Sequence, residues 1–135
     1  MTADPGIRTV VDLPYEQAIQ KVTDALKAEG FGVLTQIDVK AVMKQKLDVD
    51  FRRYVILGAC NPTLAHRALS ANLDVGLLLP CNVTVYEQGA AGCVVAAVDP
   101  VVLLSTLQGD PALHDMADEV STRLRRAIAS LNPAA

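Results

Sequence analysis

RYVILGACNPTLAHRAL, residues 53–69, changes character at its centre. Its first half, RYVILGAC, is rich in β-branched and large apolar side chains and predicts a buried strand over residues 53–60. Asn61-Pro62 then predicts a helix start, because an Asn side chain can accept from a free N–H of the first turn and Pro suits the first helical position. The helix is expected to run through residue 73, with Leu64, Ala65, Ala68, Leu69 and Leu73 as an apolar arc and His66 at its border. A strand is thereby expected to end on a thiol, Cys60, where a helix begins.

Towards the C-terminus, a second Cys-Asn pair, Cys81-Asn82, lies in LLLPCNVTVYE. A strand is predicted from residues 79–81 onward, with Val83 and Val85 alternating with Asn82, Thr84 and Tyr86. QGAAG, residues 88–92, reads as a hairpin loop that returns through CVVAAVD as the last strand. Asp110-Pro111 starts a long helix whose stripe runs from Leu113 through Met116, Val120, Leu124 and Ile128 to Leu131. Arg123, Arg125 and Arg126 are expected near its C-terminal end, where positive charge complements the helix dipole.

Towards the N-terminus, IRTVVDL, residues 7–13, predicts a strand, and Pro14 introduces a helix over residues 15–29 that Gly30 ends. Residues 31–38 form a strand with Phe31, Val33, Thr35 and Ile37 on one face. A short helix over residues 39–47 and a turn at residues 48–51 complete the order. Strands and helices do not alternate regularly enough for a doubly wound sheet. The reading is α+β: a mainly antiparallel sheet of about five strands with helices packed on one face.

The chain has 135 residues, enough for one well-formed core and too few for two domains, so residues 1–135 are read as a single domain. Apolar residues make up 51% and aromatics 4%, without Trp, so the core must be built from Val, Leu, Ile and Ala. A net charge of -3 argues against binding a nucleic-acid backbone. No apolar stretch is long enough for a membrane span, and the first residues show no basic-then-apolar secretory pattern, so a cytoplasmic location is expected. Three cysteines fit reduced thiols better than a disulfide framework.

Common catalytic motifs are missing. Gly30-Phe31-Gly32 lies between a helix and a strand, whereas a phosphate-gripping glycine turn follows a strand and opens a helix. No G-x-x-x-x-G-K-[ST], G-x-S-x-G or H-E-x-x-H run occurs.

Three blocks in order carry a resemblance: GFGVLTQIDVKAVMKQKLDVDFRRYVILGACNPTLAHRAL, then GLLLPCNVTVYE, then VVAAVDPVVLL. From about Leu13 to the final helix the chain resembles domain-of-unknown-function family 302, a bacterial and archaeal family without an established activity. The resemblance implies a compact α+β fold with a helix after the first strand, a curved antiparallel sheet and a C-terminal helix. It implies no reaction.

Chemistry therefore rests on single residues. Cys60 precedes a helix N-terminus, which favours thiolate, and is expected to be the most thiolate-like of the three cysteines; the plainer reading is a small buried hydrophobe ending a strand. Cys60, Asn61, His66, Cys81 and Asn82 form the candidate ligand site, and Cys60, His66 and Cys81 would be soft metal ligands, although their spacing matches no zinc pattern. Asn61 has a sufficient structural role as a cap. Lys40, at the start of the short helix, reads as solvated, and Cys93 as core or interface. Both faces of CVVAAV are apolar, so a second copy of the chain is expected to cover one of them. Two functions follow: a small-molecule or metal-binding module with a Cys/His-lined site, or a structural or regulatory homodimer without one.

Overall fold

Strands β1 (Gly6–Val11), β2 (Gly32–Asp38), β3 (Tyr54–Cys60), β4 (Cys81–Glu87) and β5 (Cys93–Val98) form one sheet in the order β1-β5-β4-β3-β2. Every neighbouring pair is antiparallel. The structure, a computed structural model, describes residues 4–90, 92–105 and 111–132. Helices are α1 (Tyr15–Ala28), α2 (Val39–Leu47), α3 (Pro62–Ala71), α4 (Pro100–Leu104) and α5 (Pro111–Ser130), and a 3-10 segment covers Leu73–Leu78. The chain is α+β, as its pattern of elements predicts.

One face of the sheet makes the core. Val55, Leu57 and Ala59 of β3 stand beside Val83 and Val85 of β4 and Val95 and Ala97 of β5, all within 1% of complete burial. Val22 and Leu26 of α1 and Leu124 and Ala127 of α5 close over them. Full burial of each such Val or Leu side chain contributes about 1.5–3 kcal/mol, so this single layer contact supplies most of the drive to fold. A smaller cluster, Ala68, Val75, Leu113 and Met116, lies between α3, the 3-10 segment and α5.

The end of α1 shows how local chemistry aims the chain. Gly30 takes φ +87°, donates its N–H to Lys27 O, and lets the Phe31 N–H reach back to Leu26 O at 2.9 Å. These two bonds satisfy the last carbonyls of the helix and bring Phe31 onto the buried Leu26. The expected stop at Gly30 is thus a turn that feeds the core.

The structure corrects three expectations and adds one helix. Phe31, Val33, Thr35 and Ile37 do not share one face, because the register shifts between Val33 and Thr35. Val33 pairs with Ala59 on the helix-covered face, whereas Thr35 and Ile37 pair with Gly58 and Ile56 on the other. Helix α3 stops at Ala71, where Asn72 accepts from the Asp74 N–H at 2.9 Å and starts the 3-10 segment, so Leu73 leaves the apolar arc and is 84% exposed. The run after Asp99-Pro100, to which the sequence pattern assigned no element, forms α4. Finally, Arg123, Arg125 and Arg126 lie towards the C-terminal end of α5 as expected, but none is in its last turn, where the helix dipole acts. They serve as tertiary clamps: Arg123 donates to Glu29 O at 3.2 Å, Arg125 to Asp99 at 2.8 Å and Arg126 to Glu29 at 3.1 Å. The expected cap at Asp110 and Ala91 of the hairpin loop lie outside the described residues.

Gly58 is required by closeness. A Cβ there would collide with Thr35 Oγ1 and stand 2.7 Å from Pro80 Cγ. Gly58→Ala is therefore expected to destabilise the protein by about 1–3 kcal/mol in urea unfolding. Adding Thr35→Ala should recover part of that loss; strictly additive effects would show that the crowding is not at Thr35.

Candidate functional site

Register decides which predicted residues meet. Ala59 pairs with Cys81 across β3 and β4, so Cys60 ends one strand beside the start of the next. Asn61 leaves the sheet and caps α3, its Oδ1 accepting from the Leu64 N–H at 3.2 Å. Cys60, Asn61 and Cys81 line a common cavity of about 50 Å³, bounded by α3, the 3-10 segment, α4 and α5. Phe31, Leu64, Ala68, Val75 and Met116 supply much of its wall, and no charged side chain lines it. Among the described residues no buried side-chain nitrogen or oxygen lacks a hydrogen-bond partner, so nothing polar in the wall calls for water.

The other two candidates lie elsewhere. His66 is on the exposed side of α3 and does not line the cavity. A helix advances about 100° per residue, which turns His66 away from the face that carries Leu64 and Ala68. Among the described residues no three of His, Cys, Asp and Glu gather as a metal site would require. Asn82 follows Cys81 by one strand residue and so faces the other side of the sheet, where it pairs with Gly58 and lines an outer groove. Lys40 donates to Phe51 O at 2.8 Å and ties α2 to the segment after it. Cys93 is core, its thiol 3.5 Å from Leu13 O.

The thiols are not activated. Burial pushes the Cys60 thiol above its ordinary value, against the expected thiolate. Cys81, buried deeper and with Cys60 nearby, rises from 9.0 to about 11. Desolvation of the anion in an apolar wall opposes ionisation here. Both cysteines are neutral, polarizable wall groups at neutral pH.

Two parts of the site escape a reading of motifs. Asp99, 6% exposed, accepts from the Val101 N–H at 3.0 Å and from Arg125 Nη2 at 2.8 Å, while Arg125 Nε donates to the buried Ser121 Oγ at 3.3 Å. It thereby seats α4 against α5. The signal was present: Asp99-Pro100 repeats the cap-then-proline pattern of Asn61-Pro62. Beside the site, an added Cβ on Gly30 would meet Asn61 Nδ2 at 2.9 Å and Arg123 Nη1 at 3.4 Å, so the turn after α1, the cap of α3 and the arginine of α5 crowd together.

Among the described residues no helix is long and apolar enough to cross a membrane. A family model described as "Domain of unknown function DUF302" matches residues 7–131. The chain is similar to the solved structure of an uncharacterized conserved protein DUF302 from Bacillus stearothermophilus, at 34% identity and a TM-score of 0.85, covering 93% of this chain and 97% of that one. No curated protein matches it.

The raised Cys81 pKa has a sign that can be tested. The unfolded chain loses this proton near 9.0 and the folded chain near 11, so the unfolded state binds fewer protons between those values and stability falls as pH rises through them. The contribution is on the order of 2 kcal/mol. Urea unfolding should show this alkaline loss, and Cys81→Ala should lack that part of it; equal pH slopes in both proteins would contradict the buried thiol.

Proposed function

We propose, for a chain that belongs to the family described as domain of unknown function DUF302, that the protein is a small-molecule-binding module. Its ligand is narrow and apolar, and its site is the cavity that Cys60, Asn61 and Cys81 share. The observation that carries this reading is the wall itself: almost wholly apolar side chains from β3, α3, the 3-10 segment, α4 and α5, with two neutral thiols and one amide as its polar groups. Such a lining recognises by shape and dispersion rather than by charge. Its size limits the ligand: apolar cavities of about 150 Å³ take up benzene, and this one is about 50 Å³, so without movement it holds only the end of an aliphatic chain. His66 and Asn82 do not line that inner site, and among the described residues no metal-ligand set forms.

Native and denaturing mass spectrometry of the purified protein tests it. A copurifying apolar molecule, released on denaturation, is the expected result, together with at least a tenfold loss of occupancy in Ala68→Leu, which fills the cavity. Overpacking costs about 1–3 kcal/mol, so circular dichroism must show that the variant is folded. A protein that carries no such molecule and takes up none of a series of unbranched alcohols in solution would refute the reading.

A second reading, a homodimer, is favoured by a different surface. On the sheet face away from the core, Val10 is 45% and Ile37 48% exposed, and Leu73 and Leu77 of the 3-10 segment are each 84% exposed. These residues do not form one patch, since Val10 and Ile37 stand on opposite edge strands, but the neighbouring Leu73 and Leu77 are exposed apolar side chains that a second copy related by a twofold axis would cover. Sedimentation should then give a dimer at micromolar concentration that Leu77→Lys weakens. A monomer at that concentration would end this reading.

A further inference from the structure

The inner cavity and a larger space outside it share lining residues, one of them on α4. An outer groove of about 370 Å³ runs along Leu77, Pro80, Asn82 and Val98. Leu78, Leu79 and Leu103 line both this groove and the inner cavity, and are therefore the partition between them. Leu78 and Leu79 belong to the covalent path from the 3-10 segment into β4. Leu103 belongs to α4, a helix of five residues in which Pro100 alone is buried and Val101 is 41% exposed. Elements with so little burial are the ones that open locally at low cost.

What seats α4 is specific. Asp99 O accepts from the Leu103 N–H at 3.1 Å, Asp99 Oδ1 accepts from the Val101 N–H, and Asp99 Oδ2 is held by Arg125 of α5. The Asp99 N–H donates to Pro5 O at 2.7 Å, which fixes the strand side of the joint. One carboxylate thus caps the short helix and pins it to the long one.

We propose that α4 is a gate, seated by the Asp99–Arg125 pair, whose displacement joins the inner cavity and the outer groove into one channel for an elongated aliphatic ligand. The ligand enters beside Asn82, passes Leu103 and reaches its apolar end to Cys60 and Cys81. The ligand class rests on the binding function proposed above; the gate does not. An extended chain is what the two volumes have in common: a thin inner end and a wider outer one. It also gives Asn82, which the strand alternation keeps out of the inner cavity, a place at the mouth of the same path.

Thiol access reads the gate, because Cys81 lines the cavity that Leu103 of α4 bounds on one side, whereas Cys93 lies in the main core. The full chain is treated with iodoacetamide and each cysteine is followed by peptide mass spectrometry. Asp99→Asn keeps a capping oxygen for Val101 but removes the charge that holds Arg125. Arg125→Gln removes the other partner. Each is expected to speed alkylation of Cys81 roughly five- to tenfold and to leave Cys93 unchanged. The two variants change local charge in opposite directions, so a common acceleration reports opening and not a change in thiol ionisation. Leu103→Ala, which thins the partition without touching the pair, should also speed Cys81. An unaltered Cys81 rate in all three variants, or a parallel acceleration of Cys93, overturns the gate. Decanol at saturation should protect Cys81 in the unsubstituted protein and spare Cys93. Failure to protect, with the variants behaving as expected, leaves the gate standing and overturns the aliphatic ligand together with the binding function.

Discussion

Burial of one face of the sheet beneath α1 and α5 is the constraint from which the other features descend. With almost no aromatic residues, the protein fills this layer with Val, Leu, Ile and Ala, whose small volumes let sheet and helices approach closely and leave little void. That contact holds β3 and β4 in the middle of the sheet and sets their register. The register in turn places Cys81 opposite Ala59 and beside Cys60. A one-residue slip would move Cys81 to the other face and break the core in the same stroke, so the meeting of the two thiols is tied to the fold's largest energy term.

The cavity occurs where that close-packed layer runs out. The main cluster and the smaller one around Met116 are two cores, not one, and the space between them is bridged by short pieces: the cap of α3, the 3-10 segment and α4. Short elements with few buried residues cannot close a gap to the density that long helices achieve on a sheet. Polar groups at this seam do the positioning. Asn61, Asn72 and Asp99 each cap a short element through its own backbone N–H groups, and Arg125 ties one of those caps to α5.

The same contrast explains the chemistry of the cysteines. A helix N-terminus favours a thiolate that faces it in water, but desolvation penalises the anion, and here the wall around both thiols is aliphatic. Adjacency to a helix start in the chain was therefore a poor guide to ionisation. Among the described residues no metal-holding cluster forms, and the two thiols join a weakly polar lining.

Period and punctuation determined much of this protein before any packing was known. Residues 53–60 and a stretch entered at residues 79–81 read as strands, α1 and α5 read from their 3.6-residue stripes, and Gly30, Asn61 and Pro62 marked ends and starts, because capping and periodicity are local and act within a few residues of the chain. The meeting of Cys60 and Cys81 at one cavity was legible only as an opportunity. Tertiary structure decided the rest. The bulge after Val33 moved Thr35 and Ile37 to the outer face, the turn of α3 carried His66 into solvent, strand alternation sent Asn82 to the far side of the sheet, and Asp99 found Arg125 across 26 residues of sequence. Each depends on which way a side chain points once two distant segments have met, and that direction is set by contacts between elements that no local pattern encodes.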